Sequence, residues 1–171
     1  GYYAYDNSDT DYPDAAPLDD WISCSTHYGG SGTKIDLREN TTAKVDLPFP
    51  FTYYGVSYNQ IRLSDNGWIS FDTSDYYDFY NWHMQNAYGS GAQIAPFWDN
   101  LDPIRKIDEV PIADGVYVYH DAARHLFVVE WSRMPNARPE LDHLQTFELI
   151  LYDPAHYATP TARGVVQCRA E

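Results

Sequence analysis

No long segment of the chain has helical periodicity, and its apolar positions recur at every second residue in short runs, the pattern of half-buried strands. Ile35 and Leu37 alternate with Lys34, Asp36 and Arg38. After Glu39-Asn40, the residues Ala43, Val45 and Leu47 alternate again, which predicts a hairpin. It runs into the stretch around which the chain is organised, LPFPFTYYGVSYNQIRLSDNGWISF, residues 47–71. Pro48 and Pro50 bracket Phe49 and withhold two ladder N–H groups, which suits an edge or a strand entrance. Ile61 and Leu63 alternate with Gln60, Arg62 and Ser64. Asp65-Asn66-Gly67 predicts a tight hairpin, because Asn and Gly accept the positive φ of a type I′ turn; Trp68, Ile69 and Phe71 start the return strand.

Trp21 to Cys24 reads as a short strand ahead of this stretch. Beyond it, strands are predicted over 116–119, 126–131, 146–152 and 164–168, the second of them apolar enough to be central. The segment QIAPFWDNLD, residues 93–102, packs through Ile94, Phe97 and Trp98, and 103–113 is a linker-like excursion. The whole describes an all-β protein: an antiparallel two-sheet β-sandwich, jelly-roll-like, with long aromatic and acidic loops. At 171 residues it is expected to be a single domain over 1–171, with the acidic segment 1–20 packed on it.

Charge narrows the partners. A formal net charge of −14 repels phosphate backbones, so nucleic acid is not an expected ligand. The same charge fits a secreted protein that binds Ca²⁺, although a solvated acidic surface accounts for it as well. No run of 18 apolar residues is present, so no helical membrane span is expected. The opening Gly1-Tyr2-Tyr3 reads as a mature terminus or a piece of something longer.

Two acidic clusters are candidate Ca²⁺ ligands. Asn7, Asp9 and Asp11 fall at alternate positions, but Tyr12 and Leu18 stand where an EF-hand needs Gly and Glu. Asp99, Asn100 and Asp102 offer three oxygens in four residues, with Asp114 as a further donor; the alternative is a turn held by Asx bonds. The loop 72–91 carries Tyr76, Tyr77, Phe79, Tyr80, Trp82 and Tyr88, rings that stack on sugars or anchor protein interfaces, with Asn81, Gln85 and Asn86 as hydrogen-bonding neighbours. The ligand-binding set is therefore Tyr76, Tyr77, Tyr80, Trp82, Gln85 and Tyr88. The rings can instead cap one end of the sandwich.

Cys24 and Cys168 lack CxxC spacing. In an oxidising compartment they are expected to form a disulfide that closes a long loop and contributes roughly 4–5 kcal/mol in the entropic model; the alternative is two buried thiols. No GxSxG or HExxH motif occurs, so the chain is read as not an enzyme.

Three phrases in order, the 47–71 stretch, IAPFWDNLDP, and GVYVYHDAARHLFVVEWSRMP followed by TFELILYDP, resemble the nidogen-like extracellular domain. With GYYAYDNSDTDYP and YDPAHYATPT, the chain also resembles accessory β-domains of large secreted bacterial proteins, including gingipain-type cysteine peptidases. The resemblance runs from Gly1 to Gln167 and implies a non-catalytic module of secretion, adhesion or substrate targeting. It implies a secreted or cell-surface protein whose partner is a glycan or an extracellular protein surface, or else a structural spacer that self-associates. Asp99-Asn100 replaces the family's aspartate pair, residues 103–113 are inserted, and Cys168 stands where an aromatic is usual.

Overall fold

The computed structural model describes residues 20–72, 80, 91–138, 143–159 and 164–170. Two antiparallel sheets face each other across an apolar core. The first holds β1 (Thr33–Ile35), β8 (Gly115–Asp121), β9 (Leu126–Pro135), β10 (Leu144–Tyr152) and β11 (Val165–Ala170), in that spatial order. The second holds β2 (Thr42–Tyr53), β3 (Val56–Ser64), β4 (Ile69–Ser70) and β5 (Gln93–Ile94), also in that order. A small hairpin, β6 (Lys106–Ile107) and β7 (Val110–Pro111), stands apart within the predicted linker.

The core follows from the alternation. Phe51, Ile61, Leu63 and Ile69 from one sheet meet Val129, Trp131, Phe147, Leu149 and Leu151 from the other. Each such side chain, fully buried, is worth about 1.5–3 kcal/mol relative to exposure. Trp131 lies at the centre, stacked on Phe147 at 4.9 Å, and its indole donates to the Ser64 carbonyl at 2.8 Å, which ties one sheet to the other. Strand β9 is central and β2 is an edge, as the apolar run and the two prolines predict.

Several local expectations are corrected. Strand β1 does not pair with β2; it pairs with β8, so the chain changes sheets between Ile35 and Thr42. The type I′ geometry falls at Tyr54-Gly55, both at positive φ between the paired Tyr53 and Val56. At 65–67 only Gly67 has positive φ, so Asp65 and Asn66 make an ordinary turn closed by a left-handed glycine. Gly67 is also required for space, since a Cβ there would collide with the Phe97 carbonyl. This turn is buried. Asp65 accepts from the Asn40 and Thr41 amides, and Asn66 Oδ1 accepts from the Leu101 amide at 2.9 Å. Burial pushes the Asp65 carboxyl up to about 7 despite those amides, which act in the opposite direction. Trp21 to Cys24 is not a strand; it runs as irregular chain into a short 3₁₀ turn at Thr26–Tyr28 and lies over the outer face of the first sheet.

The two cysteines are free. Cys24 packs with Ile22, Tyr117, Val128 and Ile150 on the outer face of the five-stranded sheet. Cys168 sits directly opposite Leu149, whose side chain is in the core between the sheets. Directly paired residues share a face, so the sheet itself separates the two sulfurs and the expected bridge does not form.

Candidate functional site

Pairing between β2 and β3 lapses in the middle. Asp46 pairs with Gln60 and Phe51 with Tyr58, so the four residues 47–50 stand opposite Asn59 alone. The prolines in LPFP explain the lapse, because neither can donate to the ladder. Leu47, Phe49 and Phe51 still turn inward while Pro48 and Pro50 are exposed. The separation opens a cleft of about 640 Å³ lined by Asp46 to Pro50, Ser57 to Gln60, and Phe71.

Aromatic packing holds the floor of this cleft. Phe71 is 5.0 Å from Tyr58, 4.8 Å from Tyr53 and 5.4 Å from Phe51, a four-ring cluster that fixes β4 to β2 and β3. The rim is polar: Gln60 Nε2 donates to Asp46 Oδ1 at 2.6 Å, and Ser57 and Asn59 are exposed. A second cleft of about 520 Å³ shares Tyr58 and Phe71 and adds Asp72, Gly91 and Ala92. Asp72 and Gly91 are the two ends of the aromatic loop, so that loop leaves and re-enters the fold at the rim. Of its predicted binding residues, Tyr80 is described and exposed; Tyr76, Tyr77, Trp82, Gln85 and Tyr88 lie outside the described residues.

Sequence reading did not single out Tyr58, Asn59, Gln60 or the LPFP bulge as a site. The signal was present in the Pro-x-Pro spacing, which marks where an edge strand stops donating, but the opposing residue depends on register.

The acidic candidates separate. Asp9 and Asp11 lie outside the described residues. Asp99 Oδ1 accepts from the adjacent Asn100 amide at 2.8 Å, and Asp102 Oδ1 accepts from the Ile104 amide at 3.0 Å, which closes an Asx turn. Asn100 Oδ1 is buried with no hydrogen-bond partner among the described residues. Asp114 belongs elsewhere: it accepts from Ser25 Oγ at 2.5 Å and from the Tyr117 hydroxyl at 2.9 Å.

That second group lies under the Trp21–Gly32 segment. Tyr117, Glu130, Glu148 and Arg169 are successive cross-strand neighbours on the outer face of the first sheet. Glu130 Oε2 accepts from the Cys24 and Ser25 amides, and Glu148 pairs with Arg169 at 3.2 Å. Both glutamates are buried. Ser25, His27 and Asp114 meet here, but the hydroxyl donates to the carboxylate and the His27 side chain is exposed, 3.9 Å from Asp114. A nucleophilic serine needs its hydroxyl on the imidazole instead. Burial, reinforced by Glu130 and Glu148, pushes the Cys24 thiol up, away from the thiolate a cysteine nucleophile requires.

The family model described as NIDO related matches residues 23–157, from the strap over the first sheet through the end of β10. The chain belongs to the NIDO related family. This is a family of extracellular, non-enzymatic modules. Neither curated proteins nor solved structures give a match. The matched span of this NIDO related domain includes the LPFP bulge, the buried SDNG turn and both sheets up to β10. Among its described residues no helix is long and apolar enough to cross a membrane.

Proposed function

We propose that this NIDO related domain is a non-catalytic binding module of a secreted multidomain protein, and that it recognises glycans through the cleft beside the LPFP bulge together with the aromatic loop 72–91. The observation that carries this reading is the composition of the cleft. Tyr58 supplies a partly exposed ring, while Asp46, Ser57, Asn59 and Gln60 supply hydroxyl, amide and carboxylate partners around it. Sugar recognition needs that combination: a ring for the C–H face and polar groups that fix orientation. Trp82 and the other rings of the loop are the sequence's further candidates for stacking on the sugar. A likeness to accessory domains of gingipain-type peptidases belongs to the same proposal, as does attachment to a larger secreted protein.

The test is retention on a panel of immobilised glycans and extracellular matrix proteins. Wild type is expected to retain a defined glycan subset. Asn59→Ala and Trp82→Ala are each expected to lose it with melting temperatures near wild type, since Asn59 is exposed and surface changes usually stay within about 0.5 kcal/mol. Retention unchanged in both variants contradicts the proposal. A second surface favours the self-association reading. Ile104, Ile107 and Val110 are 53%, 50% and 62% exposed on and beside the small hairpin, an apolar projection with no covering element among the described residues. Capture of a second copy of the chain in the same panel, with no glycan retained, assigns function to that projection instead.

A further inference from the structure

We propose that His125, Asp153 and His156 form a site for a transition-metal cation of the Zn²⁺ class. The three come from two loops at one end of the five-stranded sheet. His125 is the last residue of the β8–β9 turn, held at φ 56 immediately before β9. Asp153 directly follows β10, and its amide donates to the His125 carbonyl at 3.0 Å, which joins the loops. The Asp153 carbonyl accepts from His156 and Tyr157, at 3.0 and 2.9 Å, so the chain folds back and returns His156 to the same spot. Asp153 Oδ1 accepts from the Ala155 amide, which orients the carboxylate.

One donor atom from each of the three side chains lies within 4.8 Å of the others. Tetrahedral zinc with bonds of 2.0–2.1 Å places neighbouring donors about 3.3 Å apart, so the set closes on an ion by side-chain rotation alone. The imidazoles are stacked, with centroids 3.3 Å apart and planes 8° from parallel. To share an ion they must fan open, and His156, which is exposed, is the ring free to turn. Two imidazole nitrogens and one carboxylate select a borderline cation over Ca²⁺, which prefers six to eight oxygens. Three protein ligands leave a fourth position for water or for a group from a partner. The net charge of −14 raises the local concentration of any cation. Bound there, the ion would clamp the β8–β9 turn to the exit of β10.

The experiment is calorimetric titration of the chelator-stripped chain with ZnCl₂, alongside Co²⁺ visible absorption and thermal melts. One saturable site, a tetrahedral Co²⁺ spectrum and a rise in melting temperature are expected. His156→Ala, at an exposed position, and His125→Asn, which keeps a residue tolerant of positive φ, should each remove all three signals. Melts without metal show whether either variant has lost its fold, and if His125→Asn has, His156→Ala decides alone. His27→Ala and Cys168→Ser should bind as wild type does. No saturable site, binding that survives His156→Ala, or binding lost in either control overturns the proposal.

Discussion

Trp131→Ala is expected to cost about 3–5 kcal/mol, measured as the shift in urea midpoint at constant slope. Trp131 is fully buried, stacks on Phe147 and donates to the Ser64 carbonyl at the base of the SDNG turn. Alanine removes the ring, leaves a cavity between the sheets and breaks that link together. Trp131→Phe separates the contributions. It keeps most of the packing and loses the indole donor, so about 1–2 kcal/mol of the loss should remain. An alanine variant within 1 kcal/mol of wild type would mean that the two sheets are not held together through this residue.

The second large effect is a dependence on pH at Glu148. This carboxyl is fully buried, beside Glu130 on one side and Arg169 on the other. Burial raises it to about 7, with Glu130 adding and Arg169 opposing. A carboxyl whose folded pKa is above its unfolded value favours folding while protonated. Its contribution is complete below about 4.5 and is lost as pH rises through about 7. Glu148→Gln keeps the shape and removes the titration. Relative to wild type, the variant should therefore gain stability as pH rises from about 4 to about 8, by about 3 kcal/mol. The measurement is urea unfolding of both proteins across that range. A stability difference that does not change with pH contradicts the placement of this charge. Asp65 titrates in both proteins and drops out of the comparison.

The sheets were legible in the sequence because they rest on alternation. Leu126 to Trp131 identified the central strand, and Pro48 and Pro50 identified an edge. The partner of a strand is not written in its own residues, so β1 was assigned to β2 when it pairs with β8. Turn residues misled for a related reason. Asn66 has the chemistry of a type I′ turn, but its side-chain oxygen is committed to the Leu101 amide, and the type I′ turn falls at Tyr54-Gly55. Glu130 and Glu148 point to the outer face of the first sheet. They are nonetheless buried, because Trp21 to Gly32 covers that face of the sheet and offers Glu130 its backbone amides. The cleft was half legible: the prolines marked the break in the strand, while Tyr58 and Asn59 became site residues only through register. His125 and His156 gave no sequence signal, being 31 positions apart and joined by a backbone hydrogen bond that only the fold creates.

The most direct test of the binding account is hydrogen–deuterium exchange of the chain alone and saturated with a glycan retained on the panel. Slower exchange centred on residues 46–60 and on the aromatic loop 72–91 is the predicted footprint. Protection centred on the Trp21–Gly32 strap or on the 104–111 hairpin, with the cleft unchanged, would contradict it.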